Sequence, residues 1–254
     1  MASRMTVPLE RALLDAHASA TESPTVLAVV GAGGKKSTLY ALAERLERAI
    51  VTTTVRIPPF DDRVATLTVA DDPIAAARET DSRPLGLAAA REGDRYLGYD
   101  PADVDALANA LEGPETVLVK ADGARTRWLK APDEDEPQLP AGTDVVVPIA
   151  SARVVGKRLD EEHVHRPERV ANVADLEPGD RISAVDVATV LASDAGGWKD
   201  VPEGATVVPL VNMADTPELE ATAREIAAEL REHRDVPRVV VTRLLEEEPV
   251  VDVL

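Results

Sequence analysis

Apolar and polar residues follow two different rhythms along this chain. Short, almost wholly apolar runs, typical of strands buried in a parallel sheet, alternate with stretches that repeat apolar residues at helical spacing. We expect strands at residues 25–30, 49–51, 64–69, 116–119, 144–149, 206–211 and 238–241. We expect helices at residues 7–20, 38–48, 101–111, 183–192 and 217–233. This alternation predicts an α/β fold with a mostly parallel sheet and helices on both of its faces.

Three segments interrupt this alternation within what we predict to be one domain over residues 1–254. Residues 84–99 fit a small antiparallel hairpin at the edge of the sheet. Residues 122–143 contain three prolines and predict a long loop, and loops of that length in compact domains are often functional. Residues 150–200 fit an inserted helical segment.

A glycine cluster lies between the first predicted strand and the helix after it, where residues 31–37 read Gly-Ala-Gly-Gly-Lys-Lys-Ser. Glycines let successive backbone N–H groups converge on one point, and the start of the helix adds its positive end. A lysine then reaches phosphate, and a hydroxyl can bind magnesium. The spacing departs from the full Walker pattern, so we interpret the segment as a variant P-loop in a P-loop NTPase-like domain. The expected phosphate contacts are Gly31, Ala32, Gly33, Gly34, Lys35, Lys36, Ser37 and Thr38.

Two other interpretations of the glycine cluster stay open. It can be a tight strand-to-helix turn with two solvated lysines. It can also be a dinucleotide-binding loop, although the third glycine of that pattern would fall on Lys36 and the next strand ends in threonines. We favour Lys35 over Lys36 as the phosphate ligand, with Ser37 or Thr38 near the metal.

Two strand ends near this loop carry candidate ligands. Asp122 follows an apolar strand, and an aspartate at that place can hold Mg²⁺ together with Ser37. A turn residue before glycine is the simpler alternative for Asp122. Thr53 lies in a run of three threonines at the end of the second strand, where its hydroxyl suits phosphate but a β-branched residue needs no such role.

Two further sets of polar residues each allow more than one functional interpretation. Asn212 and Asp215 follow a strand in an Asn-x-x-Asp pattern, which suits either guanine recognition or an ordinary turn. His163, His165 and Arg166 form the densest polar cluster outside the glycine loop. This second cluster fits a metal site, a charged surface segment, or contact of Arg166 with substrate or phosphate.

Composition narrows the functional class. The formal charge is −18, which argues against a nucleic-acid or anionic-membrane binder and indicates a protein from a salt-rich cytoplasm. Disorder is the competing interpretation of such charge, but 44% of the residues are hydrophobic and they fall in periodic runs. There is no cysteine, so thiolate sites are excluded, and no run resembles a signal peptide or membrane span. The few lysines therefore stand out as functional candidates, and we expect a cytoplasmic protein.

Short segments at seven places along the chain form an ordered set: residues 31–35, 51–54, 121–124, 130–132, 136–137, 165–168 and 212–215. Taken together, they resemble the YqeC family of accessory proteins for selenium-dependent molybdenum hydroxylases. This resemblance implies a P-loop NTPase-like fold and a role in maturing a selenium- or molybdenum-containing cofactor. It also marks Asp122, Lys130, His165 and Arg166 as site candidates. Lys120 departs from the family pattern, which usually has glutamate there.

The leading functional hypothesis is a Mg²⁺-dependent enzyme that binds ATP or GTP and uses hydrolysis or phosphoryl transfer in cofactor maturation. The residues expected to act in catalysis are Lys35, Asp122, Lys130 and Arg166. The alternative is a non-hydrolysing carrier or chaperone for a nucleotide-linked molybdopterin cofactor, and a ligase that needs an acceptor is a third. The expected partners are a nucleotide and a molybdenum hydroxylase or its maturation proteins.

Overall fold

A mostly parallel sheet forms the centre of the fold in the computed structural model, which describes residues 7–17 and 23–254. In chain order the elements are α1 (Leu9–Leu14), β1 (Thr25–Gly31), α2 (Lys35–Ala43), β2 (Ala49–Thr53), β3 (Thr66–Val69), α3 (Pro73–Arg78), β4 (Leu85–Ala88), β5 (Ala90–Glu92), β6 (Arg95–Leu97), α4 (Pro101–Ala110), β7 (Thr116–Lys120), β8 (Leu129–Lys130), β9 (Val145–Ser151), β10 (Val164–His165), α5 (Pro167–Ala174), α6 (Ala184–Ala192), β11 (Thr206–Val207), β12 (Leu210–Asn212), α7 (Pro217–His233), β13 (Val240–Thr242) and β14 (Val250–Val253).

The order of the strands brings the candidate loops to one edge of this sheet. Across the described residues the order is β14-β13-β12-β9-β1-β7-β2-β4-β3, with β11 also paired to β9. Every pair is parallel except β13 with β14. The carboxyl ends of β1, β7 and β12 therefore meet at the same edge, as they do in a P-loop NTPase-like α/β fold.

Strand β1 is buried on both faces of the sheet. Its side chains alternate between two apolar clusters: Leu27 and Val29 pack into the cluster that contains α1 and α2, whereas Val26, Ala28 and Val30 pack into the one that contains α4. A third cluster joins α5, α6 and α7 to β13. Burial on both faces explains why β1 is a continuous apolar run without alternation.

The predicted fold class is confirmed, with all seven predicted strands present at shifted bounds. The run at 206–211 is split into β11 and β12, and Pro209 lies at the break because proline has no N–H to donate to a ladder. Helix α7 has the predicted bounds. Helix α2 begins three residues earlier than predicted, at Lys35, directly after the glycines. The predicted first helix is only Leu9–Leu14, and its residues 18–20 lie outside the described residues.

Several short elements were missed or assigned differently. Within residues 84–99, β4 joins the parallel sheet, and only β5 and β6 form an antiparallel hairpin. Helix α3 begins after Asp72, whose side chain accepts hydrogen bonds from two backbone N–H groups of the first turn. The loop at 122–143 includes the two-residue strand β8, which pairs with β10. Within residues 150–200, α5 and α6 pack in the same cluster as α7.

Across residues 7–17 and 23–254, no helix combines the length and the apolar character that crossing a lipid bilayer requires.

Gly31, at the end of β1, gives a direct test of the central packing. Its φ is +87°, and a Cβ there would lie 2.4 Å from the carbonyl oxygen of Ile149 in β9. We expect Gly31→Ala to destabilise the fold by about 2–5 kcal/mol. The cost of a left-handed backbone at a residue with a Cβ adds to the cost of overpacking against β9. Gly93→Ala is the matched control, because Gly93 has φ +60° with nothing within 4 Å of a Cβ.

Denaturant unfolding of the two variants measures this difference. The control should lose only about 1–2 kcal/mol, the cost of the left-handed backbone alone. Equal losses in both variants would contradict close packing of β1 against β9.

Candidate functional site

The glycine loop between β1 and α2 lies directly against β9. Gly31 and Gly33 both have positive φ, and a Cβ on Gly33 would lie 2.8 Å from the Cβ and the backbone N of Ser151. The Ala32 N–H donates a 2.8 Å hydrogen bond to the carbonyl of Ile149. Only glycine therefore fits this close approach at two places in the loop.

Asn212 braces the loop from the end of β12. Its Nδ2 donates to the Gly33 carbonyl at 2.8 Å, and its Oδ1 accepts from Thr242 Oγ1 at 3.1 Å and from the Leu244 N–H at 3.3 Å. Asp215, three residues on, pairs with Arg153 at 2.6 Å. The two residues predicted to recognise a base are thus engaged with protein groups, and Asn212 fixes the shape of the loop.

A chain of alternating charges runs inward from the loop lysine. Asp122 Oδ1 lies 2.6 Å from Lys35 Nζ, and Oδ2 lies 3.0 Å from Lys130 Nζ. Lys130 Nζ lies 2.6 Å from Glu136 Oε2, which Arg166 contacts at the same distance. We call Lys35, Asp122, Lys130, Glu136 and Arg166 the ion-pair chain.

The ion-pair chain is also tied to the backbone. Asp122 Oδ2 accepts the Gly31 N–H at 2.9 Å, and Lys35 Nζ donates to the Gly31 carbonyl. Lys130 Nζ donates to the Gly123 carbonyl at 2.6 Å. The sequence-based candidates Lys35, Asp122, Lys130 and Arg166 are therefore in one connected network. Glu136, which joins Lys130 to Arg166, was not among the predicted site residues.

Burial and neighbouring charges shift several pKa values in this network. Burial lowers the pKa of Lys35 against the raising effect of Asp122. Burial also opposes the charge on Glu136, but the Lys130 ammonium and hydrogen bonds from Lys130 and Arg166 outweigh it and hold the pKa at about 2. Burial, with Lys130 and Arg166 nearby, lowers the pKa of His165 to about 4, so this imidazole is neutral at pH 7.

A cavity of about 580 Å³ opens beside the glycine loop and the residues after β7. Five of the predicted loop residues contribute to its wall, namely Gly33, Gly34, Lys35, Lys36 and Ser37. No acidic residue lines it among the described residues. The basic residues that line it are Lys35, Lys36, Arg56, Arg95, Lys120, Arg125 and Arg127. In a chain of net charge −18, this cationic cavity is a local concentration of basic side chains.

Lys120 contributes a buried ammonium group to the cationic cavity. It is the last residue of β7 and is 6% exposed. Burial and the charge of Lys35 lower its pKa to about 7. A lysine at the end of a buried apolar strand is a sequence signal that could have identified it. The arginines of the cavity come from loops and a hairpin whose approach to the glycine loop no local pattern reveals.

Other predicted site residues lie outside the cavity wall. Thr38 is buried and donates to the Gly34 carbonyl at 3.1 Å. Thr53 is buried and donates to the carbonyls of Val55 and Lys120. His165 pairs in register with Lys130 across β10 and β8.

The two histidines of the possible metal cluster lie in different surroundings in the structure. His163 Nδ1 lies 3.1 Å from Asp160 Oδ1, and Glu162 is the other acidic residue close to it. His165 is not part of that group. The histidines therefore do not form one ligand set.

The low pKa of Glu136 predicts a specific acid sensitivity. Its folded pKa of about 2 lies below the ordinary value of 4.5, so its stabilising contribution is present above pH 4.5 and is lost as the pH falls towards 2. This contribution is on the order of 2–3 kcal/mol. We expect the free energy of unfolding of Glu136→Gln to fall less than that of the wild type over this range.

Chemical denaturation at a series of pH values measures this dependence. Glu134→Gln, which removes an exposed carboxylate from the same loop, should follow the wild type. An unchanged pH dependence in Glu136→Gln would show that the ion-pair chain does not hold Glu136 ionised.

The comparisons with known proteins cover the same segments that build this site. Residues 27–168, from β1 to the start of α5, match the family described as YqeC protein. The chain is 31% identical over 224 residues to the uncharacterized protein YqeC of Escherichia coli (strain K12). This alignment covers 84% of this chain and 86% of that protein. The matched residues 27–168 include the glycine loop, Lys120 and the whole ion-pair chain. The chain belongs to the YqeC family.

Proposed function

We propose that this protein binds the phosphates of a nucleotide, ATP or GTP, in the cationic cavity. The observation that supports this is the wall of seven basic residues without an acidic one, Lys35, Lys36, Arg56, Arg95, Lys120, Arg125 and Arg127. The rest of the chain is strongly acidic, so the cavity is a local exception to its charge. The volume of about 580 Å³ is in the range of pockets that hold small molecules.

The backbone around the cavity supports phosphate as the bound group. Gly33 and Gly34 line the cavity directly before the start of α2, where free N–H groups and the positive helix end favour an anion. Lys36 and Ser37 also line it. Among the described residues Lys36 forms no salt bridge, whereas Lys35 is held by Asp122. We therefore assign phosphate contact to Lys36, with Lys35 positioning the loop.

The donor set does not fit a magnesium ion held by the protein. Magnesium sites usually use one or two carboxylates, but both oxygens of Asp122 lie within 3.0 Å of lysine ammonium groups. Ser37, the other predicted ligand, supplies a single hydroxyl at the cavity wall.

The same donor set favours a carrier over a hydrolase. A hydrolase must orient an attacking water, and carboxylates are common general bases, but none lines the cavity among residues 7–17 and 23–254. The carrier would hold a nucleotide-linked molybdopterin cofactor by its phosphates and deliver it to a molybdenum hydroxylase. The resemblance to accessory proteins supports this pathway, while the geometry supports the phosphate binding.

Calorimetry with ATP, GTP and inorganic pyrophosphate tests phosphate binding. We expect Lys36→Gln to weaken binding by about 10- to 100-fold, because a hydrogen bond to a charged group is lost. Lys157→Gln is the matched control, since Lys157 is exposed and does not line the cavity. Failure of the wild type to bind any of the three ligands would refute the proposal.

Phosphate release during steady-state incubation with ATP or GTP separates the two activities. We expect binding without turnover, measured with MgCl₂ present, because no carboxylate lines the cavity among the described residues. Release that depends on Lys35, shown by its loss in Lys35→Ala, would establish the NTPase hypothesis in place of the carrier.

A further inference from the structure

We propose that the cationic cavity takes the phosphates as a metal-free anion, with the Lys120 ammonium neutralising charge where a divalent cation would otherwise do so. The inference rests on the nucleotide-phosphate binding proposed above and specifies which form of the ligand the site selects.

The sheet register places Lys120 at the centre of the site. It pairs with Val29 of β1 on one side and with Thr53 of β2 on the other. It therefore lies at the carboxyl edge of the sheet, beside the strand that leads into the glycine loop. Two residues later the chain reaches Asp122, where β-strand geometry has already ended. The register therefore fixes the backbone of Lys120 beside the glycine loop, and its side chain is buried there.

Among the described residues, the buried lysines of the site differ in whether a carboxylate forms a salt bridge with them. Lys35 and Lys130 each form a salt bridge with Asp122. By contrast, Lys120 forms no salt bridge within the part of the chain that the structure describes, and its Nζ donates to the Arg56 carbonyl at 3.2 Å. Burial without a salt bridge disfavours the charged form of Lys120, and an anion entering the cavity beside it would stabilise the ammonium.

The surroundings of Asp122 disfavour a divalent cation. Lys35 and Lys130 contact its two oxygens, and Lys120 lies two residues away in sequence. A metal ion that approached this carboxylate would displace a lysine and meet the repulsion of the others. A metal carried on the phosphates would also reduce the negative charge that the basic wall attracts.

Titration calorimetry of the full chain with ATP and pyrophosphate compares EDTA with saturating MgCl₂. We expect binding in EDTA at least about 10-fold tighter than in MgCl₂, because one fewer charge-assisted contact forms with the metal complex. Lys120→Gln should weaken binding in EDTA by about 10- to 100-fold. Lys157→Gln is again the control, and thermal melting confirms that each variant is folded.

Lys120→Glu gives a second and opposite test. It replaces the ammonium with a carboxylate, so binding should become weak in EDTA and recover in MgCl₂, because the metal can bridge two negative groups. This change of metal dependence is an effect that a merely destabilised variant would not show.

The outcomes separate the inference from the function on which it rests. Binding by the wild type only with MgCl₂ would overturn the metal-free assignment and leave nucleotide binding intact. Equal affinities of a folded Lys120→Gln and the wild type in EDTA would overturn the role of Lys120. Absence of binding in both solutions would refute the proposed function itself.

Discussion

The buried carboxylate of Asp122 is the interaction on which the site depends. Its oxygens contact the ammonium groups of Lys35 and Lys130 and the Gly31 N–H. Gly31 ends β1 and Lys35 begins α2, whereas Lys130 lies in β8, so one side chain joins the two ends of the glycine loop to a segment far along the chain. Removing one member would leave an uncompensated buried charge, which is more costly than the net stability that such a network provides.

The network therefore matters more for position than for stability. Burying the ion-pair chain costs desolvation free energy, and what it provides in return is a fixed geometry of the glycine loop. Asn212 acts in the same way from the other side, because its amide spans the Gly33 carbonyl and the chain after β13. Gly33, which lines the cavity, is thereby held in place, and such preorganisation would reduce the ordering cost of binding a ligand there.

The sequence predicted the elements well and their long-range contacts poorly. Continuous apolar runs identified the central strands because those strands are buried on both faces, as β1 shows. The glycine spacing located the loop because close approach to β9 excludes side chains. Nothing local, however, reveals that Glu136 links Lys130 to Arg166, since this contact depends on how a proline-containing loop folds back. Asn212 was placed near the site, but its amide braces the loop.

The cationic cavity is a local exception in the charge distribution of this acidic protein. Exposed carboxylates repel an anion, but at about 0.1 M salt this repulsion is largely screened beyond about 10 Å. An anion inside the cavity would be close to the basic side chains, so their attraction would be much less screened. Since Asp122 is already matched by Lys35 and Lys130, the Lys120 ammonium is the buried charge for which the protein provides no salt bridge among the described residues. The network thus neutralises Asp122 without using Lys120, which is the basis of the proposed anion site.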